Sequence, residues 1–246
     1  MGAHDTAMTP SKFKTDHHPS AASDALERLI VALDGPAGAG KSTVAKRVAQ
    51  TLGVRFLDTG AMYRAVTLKA LENEIDPSDS KALGALADSM VMDFTEEGQI
   101  LVGGLCLEPA IRTQEVTSLV SEVSAHGSVR EAVVARQQEL GHIWPGLVAE
   151  GRDTTTVVFD DAAFKFYIDA SSLERAKRRA KQEGREEQLA EIQADIERRD
   201  HYDSNRELSP LCLAKDAHLV NTDGKSIDEV VDELLAIIHG STGVKA

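Results

Sequence analysis

Along the first third of the chain, apolar and polar positions alternate in blocks whose lengths set the elements. Leu29, Ile30, Val31, Ala32 and Leu33 form a short continuous apolar run, the pattern of a strand buried on both faces. Beyond Ser42, the residues Val44, Ala45, Val48, Ala49 and Leu52 recur at helical spacing, which gives one apolar helix face. Continued along the chain, the pattern predicts strands over 29–34, 54–58, 146–150, 164–169 and 217–221. Helices are expected over 41–52, 60–73, 78–89, 114–125, 129–140, 172–183, 186–203 and 226–239. Strands that alternate with helices imply a parallel sheet covered on both faces. The expected fold is α/β, three layers with a five-stranded parallel sheet. Ser128 with Glu131 and Ser171 with Glu174 have capping-box spacing, Pro77 stands where a first-turn proline would, and Thr59 is a candidate N-cap. One stretch breaks the alternation: VMDFTEEGQILVGGL, 91–105, reads as two short antiparallel strands around Glu96-Glu97-Gly98. It belongs to an inserted lobe.

The segment joining the first strand to the first helix is GPAGAGKST, 35–43. Gly35, Gly40, Lys41 and Ser42 satisfy G-x-x-x-x-G-K-[ST], and Pro36, Ala37, Gly38, Ala39 and Thr43 complete the loop. Such a loop turns successive N–H groups inward around an anion at a helix N-terminus. Lys41 would reach the β- and γ-phosphates of a triphosphate and Ser42 would hold Mg²⁺. Asp34, closing the strand, is a candidate for orienting a Mg²⁺-bound water or, equally, for capping. The competing reading is a flexible glycine turn with a solvated lysine; the strand before it and the helix after it favour the phosphate loop.

Arginines stand where a core should continue. In EEQLAEIQADIERRDHYDSNRELSP, Leu189, Ile192 and Ile196 mark an apolar face, and the same step leads to Arg199, Asp203 and Arg206. Either the helix outruns the core, or these arginines face phosphate while Asp203 holds them or meets a ribose hydroxyl. A second cluster, LVAEGRDTTTVVF, ends a strand in Glu150-Gly151-Arg152-Asp153 at the carboxyl edge of the sheet, where open α/β folds bind ligands. Arg152 can grip phosphate as a fork and Asp153 can accept from an amino group, although a salt bridge beside a turn has the same sequence. A third, SSLERAKRRAKQEGR, puts Arg175 and Arg179 four apart on one helix face with Arg178 beside them. They suit a segment closing over a triphosphate or, as well, a solvated basic face. DTGAMYRA adds Arg64 after the second strand.

Composition narrows the partners. The 246 residues carry a formal net charge of −13, which argues against a surface for nucleic acid or anionic membrane. Cys106 and Cys212 lie far apart without metal or redox spacing and read as reduced thiols of a cytoplasmic protein. No apolar run approaches the roughly 18 residues of a membrane helix. Residues 1–24 lack apolar periodicity and read as a disordered extension or an expression remnant; Gly2 fits only a loose lipidation pattern. The folded domain is then expected over 25–246.

Taken together, LDGPAGAGKST, LDTGAMYRA, IRTQEV, EGRDTTTVVF, IDASSLERAKRR and ERRDHYDSNRELSPL resemble the bacterial cytidylate kinases, within the nucleoside monophosphate kinases, from Leu29 to Ile238. The resemblance implies a core with a monophosphate-binding lobe at about 60–143 and a short lid at about 172–188. It implies that Ser121, Arg130 and Asp153 read cytosine. It places Arg64, Arg152, Arg199 and Arg206 around the acceptor phosphate and Asp203 near the ribose, with Thr59 also lining the substrate. Arg175 and the phosphate loop would bind ATP, and Lys41, Arg152 and Arg179 would serve catalysis. ATP and Mg²⁺, with CMP or dCMP as acceptor, are the implied ligands, and a monomer is expected. The family commonly has serine at Thr59 and glycine at Thr155; if that glycine serves a special backbone angle, Thr155 would strain the turn by roughly 1–3 kcal/mol. The rivals are a sibling kinase for adenylate, uridylate or shikimate, and a nucleotide switch or motor ATPase. The chain has no Asn-Lys-x-Asp motif, and Glu150 is followed by glycine rather than a second acid.

Overall fold

The computed structural model describes residues 29–242; the extension expected over 1–24, with Gly2, lies outside them. In chain order the elements are β1 (Leu29–Asp34), α1 (Lys41–Leu52), β2 (Arg55–Asp58), α2 (Thr59–Glu72), α3 (Ser80–Ser89), β3 (Met92–Phe94), β4 (Ile100–Val102) and β5 (Leu105–Cys106). There follow α4 (Gln114–Val123), α5 (Gly127–Ile143), β6 (Gly146–Glu150), β7 (Phe164–Asp169), α6 (Ser172–Glu183), α7 (Leu189–Asn205), β8 (His218–Asn221) and α8 (Ile227–Thr242).

Five parallel strands form the main sheet in the order β2-β6-β1-β7-β8. Alternate residues of β1 serve opposite layers, which explains its unbroken apolar run. Val31 and Leu33 pack with Val44 and Val48 of α1 and with Leu234 and Ile238 of α8. Ala32 faces the other layer, where Leu57, Met62, Leu83 and Val133 gather from β2, α2, α3 and α5. This is the three-layer α/β fold expected. Register does the rest: Leu33 and Asp58 both lie opposite Glu150, so Asp34, Glu150 and Asp58 reach one carboxyl edge together.

Several local readings need correction. The 91–105 stretch folds as an antiparallel sheet of three strands, β3-β4-β5, because Gly103 and Gly104 turn at positive φ and return two residues beside β4. Pro77 precedes its helix rather than starting it: Asp79 caps α3, its Oδ1 accepting from Ala82 N at 3.0 Å. Ser128 lies inside α5 and is no cap; its hydroxyl donates to Ser80 O at 2.6 Å and ties α5 to α3. Ser171 does cap, accepting from Glu174 N at 3.3 Å, but the Glu174 carboxylate turns to Arg178. Asp58 caps α2 in place of Thr59, accepting from Ala61 N at 2.9 Å. Helix α7 starts only at Leu189, after a 3-10 turn over Glu186–Gln188. Helices α6 and α7 share a small apolar cluster of Ala176, Ala180, Ile192 and Ile196. A π turn over Thr154–Val158, unforeseen in the sequence, follows β6.

Candidate active site

The loop from Gly35 to Gly40 carries β1 into α1. Gly35, at φ 146°, is required twice over, since a Cβ there would stand 2.0 Å from Ile168 O. Gly40 at φ 94° is the left-handed residue that opens α1. Lys41 is buried, and its Nζ donates to Pro36 O at 2.8 Å. Its pKa is pushed down to about 7, first by burial and then by the Arg152 charge, against the pull of Glu150 and Asp34. A lysine so placed gains from any anion that enters the loop.

Glu150 is the main residue that sequence reasoning left without a role. Its Oε1 accepts from Ser42 Oγ at 2.5 Å, and its backbone oxygen accepts from Thr59 Oγ1 at 2.7 Å. Burial, then the Asp58 charge, pushes its carboxyl above the usual range, with Lys41 and Ser42 opposing. The sequence shows only an acid ending an apolar strand; the serine it meets lies 108 positions away. Asp34, expected to orient a Mg²⁺-bound water, is otherwise engaged. Its two oxygens accept from the backbone N–H and hydroxyl of both Thr154 and Thr155. A carboxylate has about four lone-pair sites, and here all four are taken. The hard oxygen pair nearest the loop is therefore Ser42 with Glu150, a donor set that fits Mg²⁺, which is bound by few protein oxygens alongside phosphates and water. Among the described residues no group of three or more His, Cys, Asp or Glu side chains could enclose a metal.

Facing the loop is a cluster of cations. Arg152 is clasped by Asp203 Oδ2 at 2.9 Å from its Nε; burial lowers its pKa, but Asp203 and Glu150 outweigh burial and hold it above the ordinary value. Arg199 has a buried Nε with no hydrogen-bond partner. Its pKa is pushed down to about 10 by burial and by the charges of Arg152, Arg64 and Arg179, with Asp203 opposing. Arg64 donates to Thr117 Oγ1 at 2.8 Å, and burial, then Arg112, Arg152 and Arg179, lowers its pKa against Asp58. Arg179 reaches this group from α6 while its Nε bonds Glu183 at 2.8 Å. Four guanidiniums thus converge, with the buried carboxylate Asp203 among them and Asp58 and Glu150 acting on Arg64 and Arg152. Like charges so close repel one another, and an anion entering among them relieves that repulsion.

A third group lies deeper. Arg130 and Asp153 form a buried ion pair, with the Arg130 guanidinium 5.5 Å over the Tyr63 ring. Arg206, just past the end of α7, stands 3.6 Å from the other Asp153 oxygen and donates from Nε to Ser209 O at 2.6 Å. The structure thus brings Arg206 to Asp153, within reach also of the Asp203 charge. Ser121, half-buried on α4, makes no hydrogen bond to Arg130 or Asp153. Tyr63 Oη and both amide atoms of Gln137 are buried close by without hydrogen-bond partners; neither residue was picked from sequence. Arg175 acts as a strut: its guanidinium bonds Ala170 O at 2.9 Å, Ala37 O at 3.0 Å and Asp200 at 2.6 Å. These bonds use Nε and Nη1 and tie the helix to the loop, so that Arg175 shapes the loop from the side of α6. Arg112, from the IRTQEV stretch, bonds Asp58 Oδ2 at 3.1 Å on the wall of a cavity of about 710 Å³ that Ser42 and Thr43 also line.

Comparison with known proteins adds to this geometry. The profile of the family described as cytidylate kinase matches residues 31–240. A cytidylate kinase of Desulforamulus reducens is 47% identical over 218 residues, 87% of this chain and 98% of that relative. A bifunctional pantoate ligase/cytidylate kinase of Prochlorococcus marinus is 50% identical over 85% of this chain, which spans only 42% of that relative's length. Among solved structures, a shikimate kinase from Acinetobacter baumannii in complex with shikimate matches with a TM-score of 0.46 and 17% identity, over 89% of this chain and 98% of that one.

Proposed function

The chain belongs to the cytidylate kinase family, and on that premise we propose that it moves the γ-phosphoryl group of ATP onto CMP or dCMP, giving ADP and CDP or dCDP. The observation that carries this reading is Arg199: half-buried, its Nε buried without a partner, and within reach of the charges of Arg64, Arg152, Arg179 and the loop lysine. The site is built to bring two anions together beside a polar pair. The Gly35–Thr43 loop and Lys41 cradle the donor phosphates. Ser42 and Glu150 hold Mg²⁺, which supplies charge neutralisation on those phosphates when bound. Arg64, Arg152 and Arg199 take the acceptor phosphate, and Asp203, besides holding Arg152, offers its second oxygen to the ribose. Arg179, on a lid at about 172–188, meets the charge that travels with the phosphoryl group. No protein nucleophile is needed, because the acceptor phosphate oxygen attacks in line.

The base is read by complementarity. Cytosine presents an amino donor next to a ring-nitrogen acceptor. The Arg130–Asp153 pair presents the inverse, an acceptor next to a donor, with Ser121 adding a donor for the ring carbonyl. Uracil reverses that edge and would set a carbonyl against Asp153. The deciding assay is coupled ADP release with CMP, dCMP, UMP, AMP and shikimate in turn. CMP and dCMP are expected to be used best; faster turnover of any other acceptor overturns the reading. A cytoplasmic monomer working on small molecules, with neither nucleic acid nor membrane as partner, accords with the charge of −13; light scattering after gel filtration tests the monomer.

Two further outcomes follow from the geometry. With Lys41 near pH 7 in the free protein, most of it is neutral at pH 8, and a bound triphosphate restores the proton. Binding of a non-hydrolysable ATP analogue at pH 8 is therefore expected to take up about one proton, and its affinity to fall as pH rises above about 7. Calorimetry in buffers of different ionisation heats reads this directly; zero uptake would mean that Lys41 is already charged. The arginines should also separate by substrate. Arg206→Ala is expected to raise KM for CMP and leave ATP affinity unchanged. Arg179→Ala should mainly lower kcat. An Arg206→Ala variant impaired only in ATP binding would invert the assignment.

A further inference from the structure

The loop carrying Arg152 and Asp153 is pinned at both ends to the last two residues of β1. Upstream, Gly151 N donates to Leu33 O at 2.9 Å. Downstream, Thr154 N donates to Asp34 Oδ1 at 2.9 Å, Thr155 N to Oδ2 at 2.7 Å and Thr155 Oγ1 to Oδ2 at 2.6 Å. The Thr154 hydroxyl is shared between Asp34 Oδ1 and Leu33 O. Asp34, Thr154 and Thr155 are all buried, where hydrogen bonds to a charged acceptor are at their strongest. Only Arg152 and Asp153 lie between the pins, and the residue after Asp34 is Gly35, the start of the donor loop.

We propose that Asp34 is a positioning residue that fixes the acceptor-reading pair, Arg152 and Asp153, to the loop that holds the donor phosphates, and that the Thr155 hydroxyl is part of this clasp. Asp34 touches neither substrate. Its carboxylate sets where the acceptor phosphate and base sit relative to the triphosphate, a distance to which in-line transfer is sensitive at the ångström level. The inference rests on the function proposed above. It also accounts for Thr155, which stands where the resembled family commonly has glycine. Among the described residues the non-glycine positions with positive φ are Glu74 and Ser209, so Thr155 carries none of the strain expected of it. It adds a donor to Asp34 that glycine lacks.

The test is Asp34→Asn, in which one oxygen becomes an amide that faces donors and can accept from none of them. KM for CMP is expected to rise by about tenfold with the Kd of an ATP analogue held within about twofold, and the preference for CMP over UMP to narrow. Thr155→Val, similar in shape but without the hydroxyl, should raise KM for CMP by about threefold, and Thr155→Ser should restore it. The milder pair keeps the test decisive if Asp34→Asn does not fold. A lowered melting temperature with unchanged KM for CMP, parallel losses for ATP and CMP, or a serine variant no better than valine would each overturn the clasp. A wild-type protein without CMP turnover would instead overturn the proposed function.

Discussion

Lys41→Ala is expected to lower kcat by about a thousandfold, about 4 kcal/mol of barrier, while the protein stays folded. The size follows from what Lys41 does: it alone in the loop carries a full charge to the donor phosphates, inside a site that screens charge poorly. The intact fold follows from its surroundings. The Nζ hydrogen-bonds Pro36 O, and burial makes its charge costly in the free protein, so removing it relieves as much as it disrupts. Steady-state kinetics with a melting curve on the same sample decides the matter. A folded variant with near-normal turnover would remove Lys41 from the mechanism.

Asp153→Asn is expected to narrow the CMP:UMP ratio of kcat/KM by at least about tenfold, or 1.4 kcal/mol. An amide can donate as well as accept, so a carbonyl presented by uracil is no longer refused. A site built around one hydrogen bond discriminates strongly because the wrong ligand leaves buried groups unpaired. The structure adds a cost to the substitution: Asp153 lies between Arg130 and Arg206, and losing its charge leaves two guanidiniums facing each other. The variant should therefore also melt lower, and ratios should be taken on the folded fraction. Equal losses on both nucleotides would make Asp153 structural or catalytic and sink its role as the base reader.

What could be read from the sequence was whatever rests on periodicity or close spacing. The five strands of the sheet, the phosphate loop and the continuation of the Ile192–Ile196 stripe into Arg199 and Asp203 are properties of residues a few places apart. Asp203 is buried on the same helix as Ile192 and Ile196, as a step of three or four residues demands. What was hidden depends on partners distant in sequence. Nothing near Asp34 reveals that Thr154 and Thr155, 120 and 121 positions on, consume its oxygens. Arg175 matched a ligand-binding pattern, and nothing in that pattern reveals its bonds to the carbonyls of Ala170 and Ala37. Glu150 was overlooked because a lone acid after apolar residues acquires meaning only when register sets it beside Ser42. Helix starts failed where two capping residues compete, as at Asp79 against Pro77 and at Asp58 against Thr59.

The struts on α6 also bear on the lid proposed above. Arg175 and Arg178 bond the outward carbonyls of the loop, Ala37 O at 3.0 Å and Ala39 O at 3.4 Å, so the root of this helix is bolted to the donor loop. A swing of the proposed lid would have its fulcrum near Arg178 and, through Ala180, would carry the packed face of α7 with it; the arm runs six residues to Gly184, about 9 Å at a rise of 1.5 Å per residue. Rotation by about 20° would carry the tip about 3 Å yet move the Arg179 backbone, one residue from the fulcrum, by only about 0.5 Å. On the lid role proposed above, such an arm would open for exchange of nucleotides while Arg179 barely travelled, like a gate whose latch is mounted on the hinge post.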